Sequence, residues 1–168
     1  MQSMNVDAAS CFLDAGVFIG ALTLGDPRFA EANPIVEAAQ RGDFAACTTV
    51  GVLSEVYAAL TWTGAQPPLS PADAAQAVIR LVEPPSAICV LADGLGAGLR
   101  HLDMASRNKL TARRSHDARH AATALENGIF KVYTYDPDDW TDFAADGIVI
   151  AGPSSTSLRL APPLKKTP

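Results

Sequence analysis

Ser115-His116-Asp117-Ala118-Arg119-His120-Ala121-Ala122-Thr123-Ala124-Leu125-Glu126-Asn127-Gly128-Ile129-Phe130-Lys131-Val132-Tyr133-Thr134-Tyr135-Asp136 is the stretch that decides the fold. Ala118, Ala121, Ala122 and Leu125 recur at helical spacing and predict a helix over residues 115–127 with one buried face. Asn127-Gly128 supplies a left-handed stop. The β-prone run at residues 130–134 follows at once, so helix feeds directly into strand. Asp117 falls in the first turn of that helix and Asp136 just past the strand. In a parallel sheet, strand ends and the starts of the intervening helices share one edge, which places both acids there.

Two further acids occupy equivalent places nearer the N-terminus. Asp14 closes the apolar run Cys11-Phe12-Leu13. Glu55 lies partway into the helix that follows a predicted strand at residues 44–47. Asp14, Glu55, Asp117 and Asp136 therefore converge on the carboxyl edge of one sheet. Carboxylates crowded in one cleft repel one another unless a cation lies between them, so the pattern reads as a divalent-metal site.

The chain of 168 residues, 48% apolar, fits one globular domain with a full core. We read residues 1–151 as that domain and residues 152–168, rich in Pro, Ser and Thr, as a loosely attached tail. The net charge of −5 does not advertise a general nucleic-acid-binding surface. A nuclease is not excluded, because metals and a local basic patch can hold phosphate. The one dense basic stretch, Arg107, Lys109, Arg113, Arg114 and Arg119, adjoins Asp117, and its plain alternative is a solvated face balancing nearby acids. Cys11, Cys47 and Cys89 each fall in a predicted strand without C-x-x-C spacing, which suggests buried reduced thiols and a cytoplasmic setting. Residues 15–24 are apolar, but Asp14 interrupts the run and no basic residue precedes Arg28. Neither a signal peptide nor a membrane span is expected.

Elsewhere, strands are expected at residues 10–13, 87–90 and 147–150, and a weak helix at residues 94–104. Asp26-Pro27 and Asn33-Pro34 each signal a helix start, giving one kinked helix or two short ones that end near Gly42. Thr48 or Thr49 caps a helix with Leu53, Val56, Tyr57 and Leu60 on its apolar stripe. Ser70-Pro71-Ala72-Asp73 reads as an N-cap, Pro at the first helical position, and an acid three residues on.

Four segments in order resemble the PIN-domain family, and within it the VapC-like toxins of bacterial toxin–antitoxin pairs. They are Phe12-Leu13-Asp14 with Val17-Phe18-Ile19, then Leu53-Ser54-Glu55-Val56, then His116-Asp117-Ala118-Arg119-His120-Ala121-Ala122-Thr123-Ala124, and finally Val132 to Trp140. The resemblance implies a three-layer α/β/α sandwich with a parallel sheet of about five strands, and Mg²⁺- or Mn²⁺-dependent cleavage of RNA. It implies Asp14, Asp117 and Asp136 as metal ligands, Glu55 as the fourth catalytic acid, and Thr134 as a hydroxyl that orients Asp136. Candidate substrate contacts are His116, Arg113, Arg114 and Arg119. A small antitoxin protein and a homodimer are the implied partners. The departure from the family pattern is Ala15-Gly16, where a hydroxyl residue and Asn often stand.

Three competing readings follow from the same residues. His116 and His120, four apart on a helix with Asp117 between them, resemble the H-E-x-x-H zinc hydrolase motif, with Glu126 as a third ligand. A PIN-like scaffold that binds RNA or a partner without cutting could dispense with the acids, and all four are present. A receiver-type phosphoacceptor domain would want paired acids near the first strand and a Lys after the fifth, and the chain has neither.

Overall fold

The computed structural model describes residues 10–65 and 67–156. Its strands β1 (Cys11–Leu13), β2 (Ala46–Thr49), β3 (Cys89–Leu91), β4 (Lys131–Tyr133) and β5 (Val149–Gly152) form one parallel sheet in the order β3-β2-β1-β4-β5. Between β1 and β3 run α1 (Ala15–Leu22), α2 (Phe29–Arg41), α3 (Val50–Thr61) and α4 (Pro71–Val82), which pack on one another. Between β3 and β5 run α5 (Leu95–Arg107), α6 (Arg114–Glu126), α7 (Pro137–Trp140) and a short 3-10 helix (Thr141–Asp146), which likewise pack together. Strand order reverses direction after β3, so right-handed crossovers place the two sets on opposite faces. This is the three-layer α/β/α arrangement expected from the sequence. Among the described residues no helix is long and apolar enough to cross a membrane.

The core sits where Phe12, Leu13 and Val132 of the central strands meet Val17, Phe18, Val52, Val56, Ala121, Trp140 and Phe143. Helix α6 is buried nearly all round, with Ala118, Ala121, Ala122, Ala124 and Leu125 inside. Its small side chains let it press close to its neighbours, and Gly128 at φ 74° stops it as expected.

The structure moves several boundaries. Strand β2 starts at Ala46, not residue 44, and runs through the buried Thr48 and Thr49. Thr48 Oγ1 donates to the Leu13 carbonyl at 3.1 Å, which satisfies its burial. Thr49 caps α3 by accepting from Val52 N–H. The buried face of α3 is Val52, Val56 and Leu60, with Tyr57 exposed, so the stripe is rotated from the one expected. That rotation brings Glu55 from the outer face to the flank of the buried one. Helix α2 is a single helix with Pro34 inside it, and it begins at Phe29, not at Pro27. Asp26 does not cap it in the ordinary way: its carboxylate accepts from the backbone N–H and the guanidinium of Arg28. Ser70 does cap α4 as expected, accepting from Asp73 N–H, and its hydroxyl donates to the Asp73 carboxylate.

The domain also extends past residue 151. Gly152 pairs with Tyr133 in β5, and its carbonyl accepts from Thr134 N–H at 2.9 Å. Thr156 is fully buried and donates to the Thr134 carbonyl, while Ser155 donates to Glu31 through both its N–H and its hydroxyl. Residues 152–156 are thus held by these bonds to β4 and α2. The remainder of the expected tail, residues 157–168, lies outside the described residues, as does the N-terminal lead-in.

Candidate active site

Sheet order reverses between β1 and β4, and the ends of these neighbouring strands open a crevice of the kind that doubly wound folds use for ligands. A cleft of about 470 Å³ lies there. Asp14, Glu55, Asp117 and Asp136 all line it, joined by Asp139. Asp14 follows β1 and caps α1. Asp117 comes from the first turn of α6, Glu55 from α3, and Asp136 from the residue before α7.

Asp14 is the most constrained of these. Its Oδ1 accepts from Ala15 N–H at 2.8 Å, and its Oδ2 accepts from Thr134 Oγ1 at 2.7 Å and from the Trp140 indole N–H at 3.2 Å. Burial nonetheless dominates and raises its pKa, against the lowering effect of these bonds. Asp117 is pushed up to about 7, first by burial and then by the charges of Asp14, Asp139 and Glu55, with His120 acting in the opposite direction. Among the described residues no side chain or backbone group donates a hydrogen bond to the Asp117 carboxylate.

Thr134 plays a different part from the one the family resemblance implied. Its hydroxyl holds the Asp14 carboxylate and accepts from the backbone N–H of Asp136 at 3.0 Å; it does not bond the Asp136 side chain. The cause is register: Leu13 pairs with Tyr133, so Asp14 and Thr134 leave adjacent strands side by side.

Of the basic residues, Arg113 and Arg119 line the cleft along with His116. The Arg119 guanidinium is held by Asp93, whose other oxygen accepts from Thr123. Arg114 does not line the cleft; it pairs with Asp142 at 2.5 Å and more loosely with Asp139. Arg113 has no ion pair among the described residues.

Two residues that the sequence does not single out, Trp140 and Arg28, bear on the site, and Thr49, expected only as a cap, touches it too. Trp140 fixes Asp14 while packing on Phe12 and edge-on to Phe143. Its place in the fourth family-like segment was the one available signal. Arg28 lines the cleft, held by Asp26 and lying over the Tyr135 ring. A Cβ at Gly16 would come within 3.4 Å of Arg28 Nη1 and 3.7 Å of Asp136 Oδ2, so the space at the departing Ala15-Gly16 pair faces an arginine. Thr49 touches the ring of His120 besides capping α3.

The family model of the PIN domain matches residues 11–145. The chain belongs to the PIN-domain family. Among solved structures, VapC20 from Mycobacterium tuberculosis, described as a sarcin–ricin loop cleaving toxin, superposes with a TM-score of 0.64 at 20% identity, covering 85% of this chain and 99% of that one. At that identity the likeness is one of fold. No curated protein matches this chain.

The donor chemistry of this PIN domain suits a hard divalent cation: carboxylate oxygens face one opening, burial raises the pKa of Asp14 and Asp117, and at Asp117 the charges of Asp14, Asp139 and Glu55 add to it. Among the described residues no three His, Cys, Asp or Glu side chains already enclose a metal position. The zinc arrangement is not assembled. Both ring nitrogens of His120 are engaged, with Thr49 and with Glu55, and Glu126 is bonded to Arg100 at 2.9 Å. Glu126 also lies six residues past His120, about 9 Å along the helix axis.

Proposed function

We propose that this PIN domain is a divalent-metal-dependent endoribonuclease, the toxin of a toxin–antitoxin pair, that hydrolyses RNA phosphodiester bonds. The observation that carries the reading is the convergence of Asp14, Glu55, Asp117 and Asp136 on one cleft at the strand ends. Membership in the PIN family and the fold shared with a sarcin–ricin loop cleaving toxin support it.

Asp14 and Asp117 would hold the cation directly, with Asp136 as a third ligand and Glu55 completing the acid set. Mg²⁺ or Mn²⁺ would there lower the pKa of a water and place positive charge against a phosphodiester. Thr134, Trp140 and the N–H of Ala15 keep the Asp14 carboxylate in one orientation, so little conformational freedom is lost when it acts. Arg113 and His116, both exposed at the cleft, offer positive or hydrogen-bonding groups to phosphates of the strand. Attack by water, not by the 2′-hydroxyl, gives 5′-phosphate and 3′-hydroxyl ends.

The partners that follow from this reading are an RNA substrate, a small antitoxin protein and a second copy of the chain. An arginine of the antitoxin suits the acidic cleft, because a guanidinium pairs bidentately with carboxylate.

The test is cleavage of structured RNA by the purified full chain with Mg²⁺ or Mn²⁺, with product ends determined. Activity that disappears on chelation and in Asp117→Asn is the expected result. Robust cleavage in excess chelator, or cyclic-phosphate ends, rules the mechanism out.

A further inference from the structure

His120 stands one helical turn beyond Asp117 on α6, and its ring is 2% exposed. Nδ1 lies 3.1 Å from Thr49 Oγ1 and Nε2 lies 2.8 Å from Glu55 Oε1. The Glu55 carboxylate can only accept, so Nε2–H is the donor to it, and in the neutral ring Nδ1 then accepts the Thr49 hydroxyl proton while Thr49 Oγ1 accepts from Val52 N–H. The Glu55 side chain is 42% exposed, and this is its one hydrogen bond among the described residues. A glutamate so exposed on a helix would otherwise sample several rotamers.

The seat for the imidazole is built by other elements. The Phe12 ring of β1 lies 6.2 Å from it, centroid to centroid. At Gly51, in the first turn of α3, a Cβ would stand 2.7 Å from His120 Cε1, so only glycine leaves the ring in place. Strand β1, the first turn of α3 and its cap thus all conform to one side chain whose outward nitrogen ends on an acid of the cleft.

We infer that His120 is a positioning residue that holds the Glu55 carboxylate at the cleft, with Thr49 and Gly51 fixing the ring for that purpose. The inference rests on the nuclease reading and names a residue through which Glu55 acts. It ties α3 to α6, the two helices that bring Glu55 and Asp117, so the acid set is assembled by this contact as well as by the sheet.

Two substitutions separate positioning from packing. In His120→Gln the amide nitrogen reaches about where Nε2 was and can still donate to Glu55; in His120→Asn it reaches only about as far as Nδ1 and keeps the Thr49 side alone. Each is made in the full chain, alone and together with Glu55→Ala. Mn²⁺ affinity by calorimetry, RNA kcat and KM, and thermal midpoint are measured. His120→Asn should lower kcat or Mn²⁺ affinity roughly 10–100-fold with little change in KM. His120→Gln should recover most of the loss, and neither change should matter once Glu55 is alanine. Equal losses in the Gln and Asn variants, or an Asn effect that persists in full on Glu55→Ala, overturn the inference. Gly51→Ala provides the same cycle with His120 retained, should the histidine variants not fold: it must lose activity only while Glu55 is present. A wild-type chain that binds Mn²⁺ but cuts no RNA would count against the nuclease reading, and the Mn²⁺ cycle would still decide the role of His120.

Discussion

Thr134 Oγ1 donates to Asp14 Oδ2 at 2.7 Å, across 120 positions of sequence. The same oxygen takes the Trp140 indole N–H, and the same hydroxyl accepts the backbone N–H of Asp136. One buried hydroxyl therefore joins the acid after β1 to the chain carrying the acid after β4. The Thr134 hydroxyl, the Asp14 carboxylate and the Trp140 indole N–H would otherwise be buried polar groups without water, which is why their loss costs more than an average hydrogen bond.

Thr134→Val keeps the shape and removes the hydroxyl. It leaves Asp136 N–H without its acceptor and Asp14 with one donor fewer, and should destabilise the fold by about 1–3 kcal/mol in urea unfolding. Thr134→Ser should restore most of that stability and most of the cleavage rate. Equal loss in both variants would show that the methyl group, not the hydroxyl, is what matters.

Asp117 gives the sharpest pH prediction. Its folded pKa is raised from 3.8 to about 7, so between these values the native state keeps a proton that the unfolded chain has lost. Stability conferred by the neutral form is fully present below the unfolded pKa and is lost as pH rises through the folded one. Metal-free protein should therefore become less stable from pH 4 to pH 7 through this group, by roughly 1–3 kcal/mol after allowing for solvent screening. Asp117→Asn should remove that slope and melt above wild type at pH 8 without metal, because the carboxylate surrenders no hydrogen bond on substitution. Thermal melts of both proteins across this range, in chelator, make the comparison; a mutant that melts lower at pH 8 contradicts the crowding argument.

The same shift makes metal and proton compete. Mn²⁺ affinity should fall as pH is lowered from 8 to 6, with about half a proton released per ion bound at pH 7 and close to one at pH 6. Calorimetry in buffers of different ionisation enthalpy reads the released proton directly. Added Mn²⁺ should raise the wild-type midpoint and barely move that of Asp117→Asn.

Trp140→Phe tests the other donor to Asp14. Phenylalanine retains contact with Phe12 and Phe143 but supplies no N–H. The expected result is a modest loss of stability, about 1–2 kcal/mol, and weaker Mn²⁺ binding at fixed pH. Unchanged Mn²⁺ binding would mean that the indole serves packing alone.

Arg113 and Arg114 are adjacent in sequence yet differ in setting. Arg113 lines the cleft without an ion pair among the described residues, whereas Arg114 is spent on Asp142 and Asp139. Arg113→Ala should raise KM for RNA and flatten its salt dependence, with kcat less affected. Arg114→Ala should cost under about 1 kcal/mol of stability and leave KM nearly as it was. The reverse pattern would place the RNA on the other side of α6.

Sequence alone determined what depends on neighbours along the chain. The period of Ala118, Ala121, Ala122 and Leu125, the cap at Ser70, the stop at Gly128 and the acids at strand ends are local, and local signals survive in one dimension. They were enough to order helices and strands into a parallel sheet and to put Asp14, Glu55, Asp117 and Asp136 on one edge. The start of α2 differs from the local signal because Asp26 bonds Arg28 instead of capping the helix at once, and the stripe of α3 because two rotations fit its apolar residues equally well. Tertiary structure alone decided which groups touch. That Thr134 serves Asp14, that Trp140 reaches the same oxygen, that residues 152–156 bind back onto the body, and that His120 is buried against Gly51 with its outer nitrogen on Glu55, all depend on the register of β1 with β4 and on how closely α3 approaches α6. Those are distances between residues tens of positions apart, fixed by packing and by the need to satisfy buried polar groups, and no period or motif within either segment carries them.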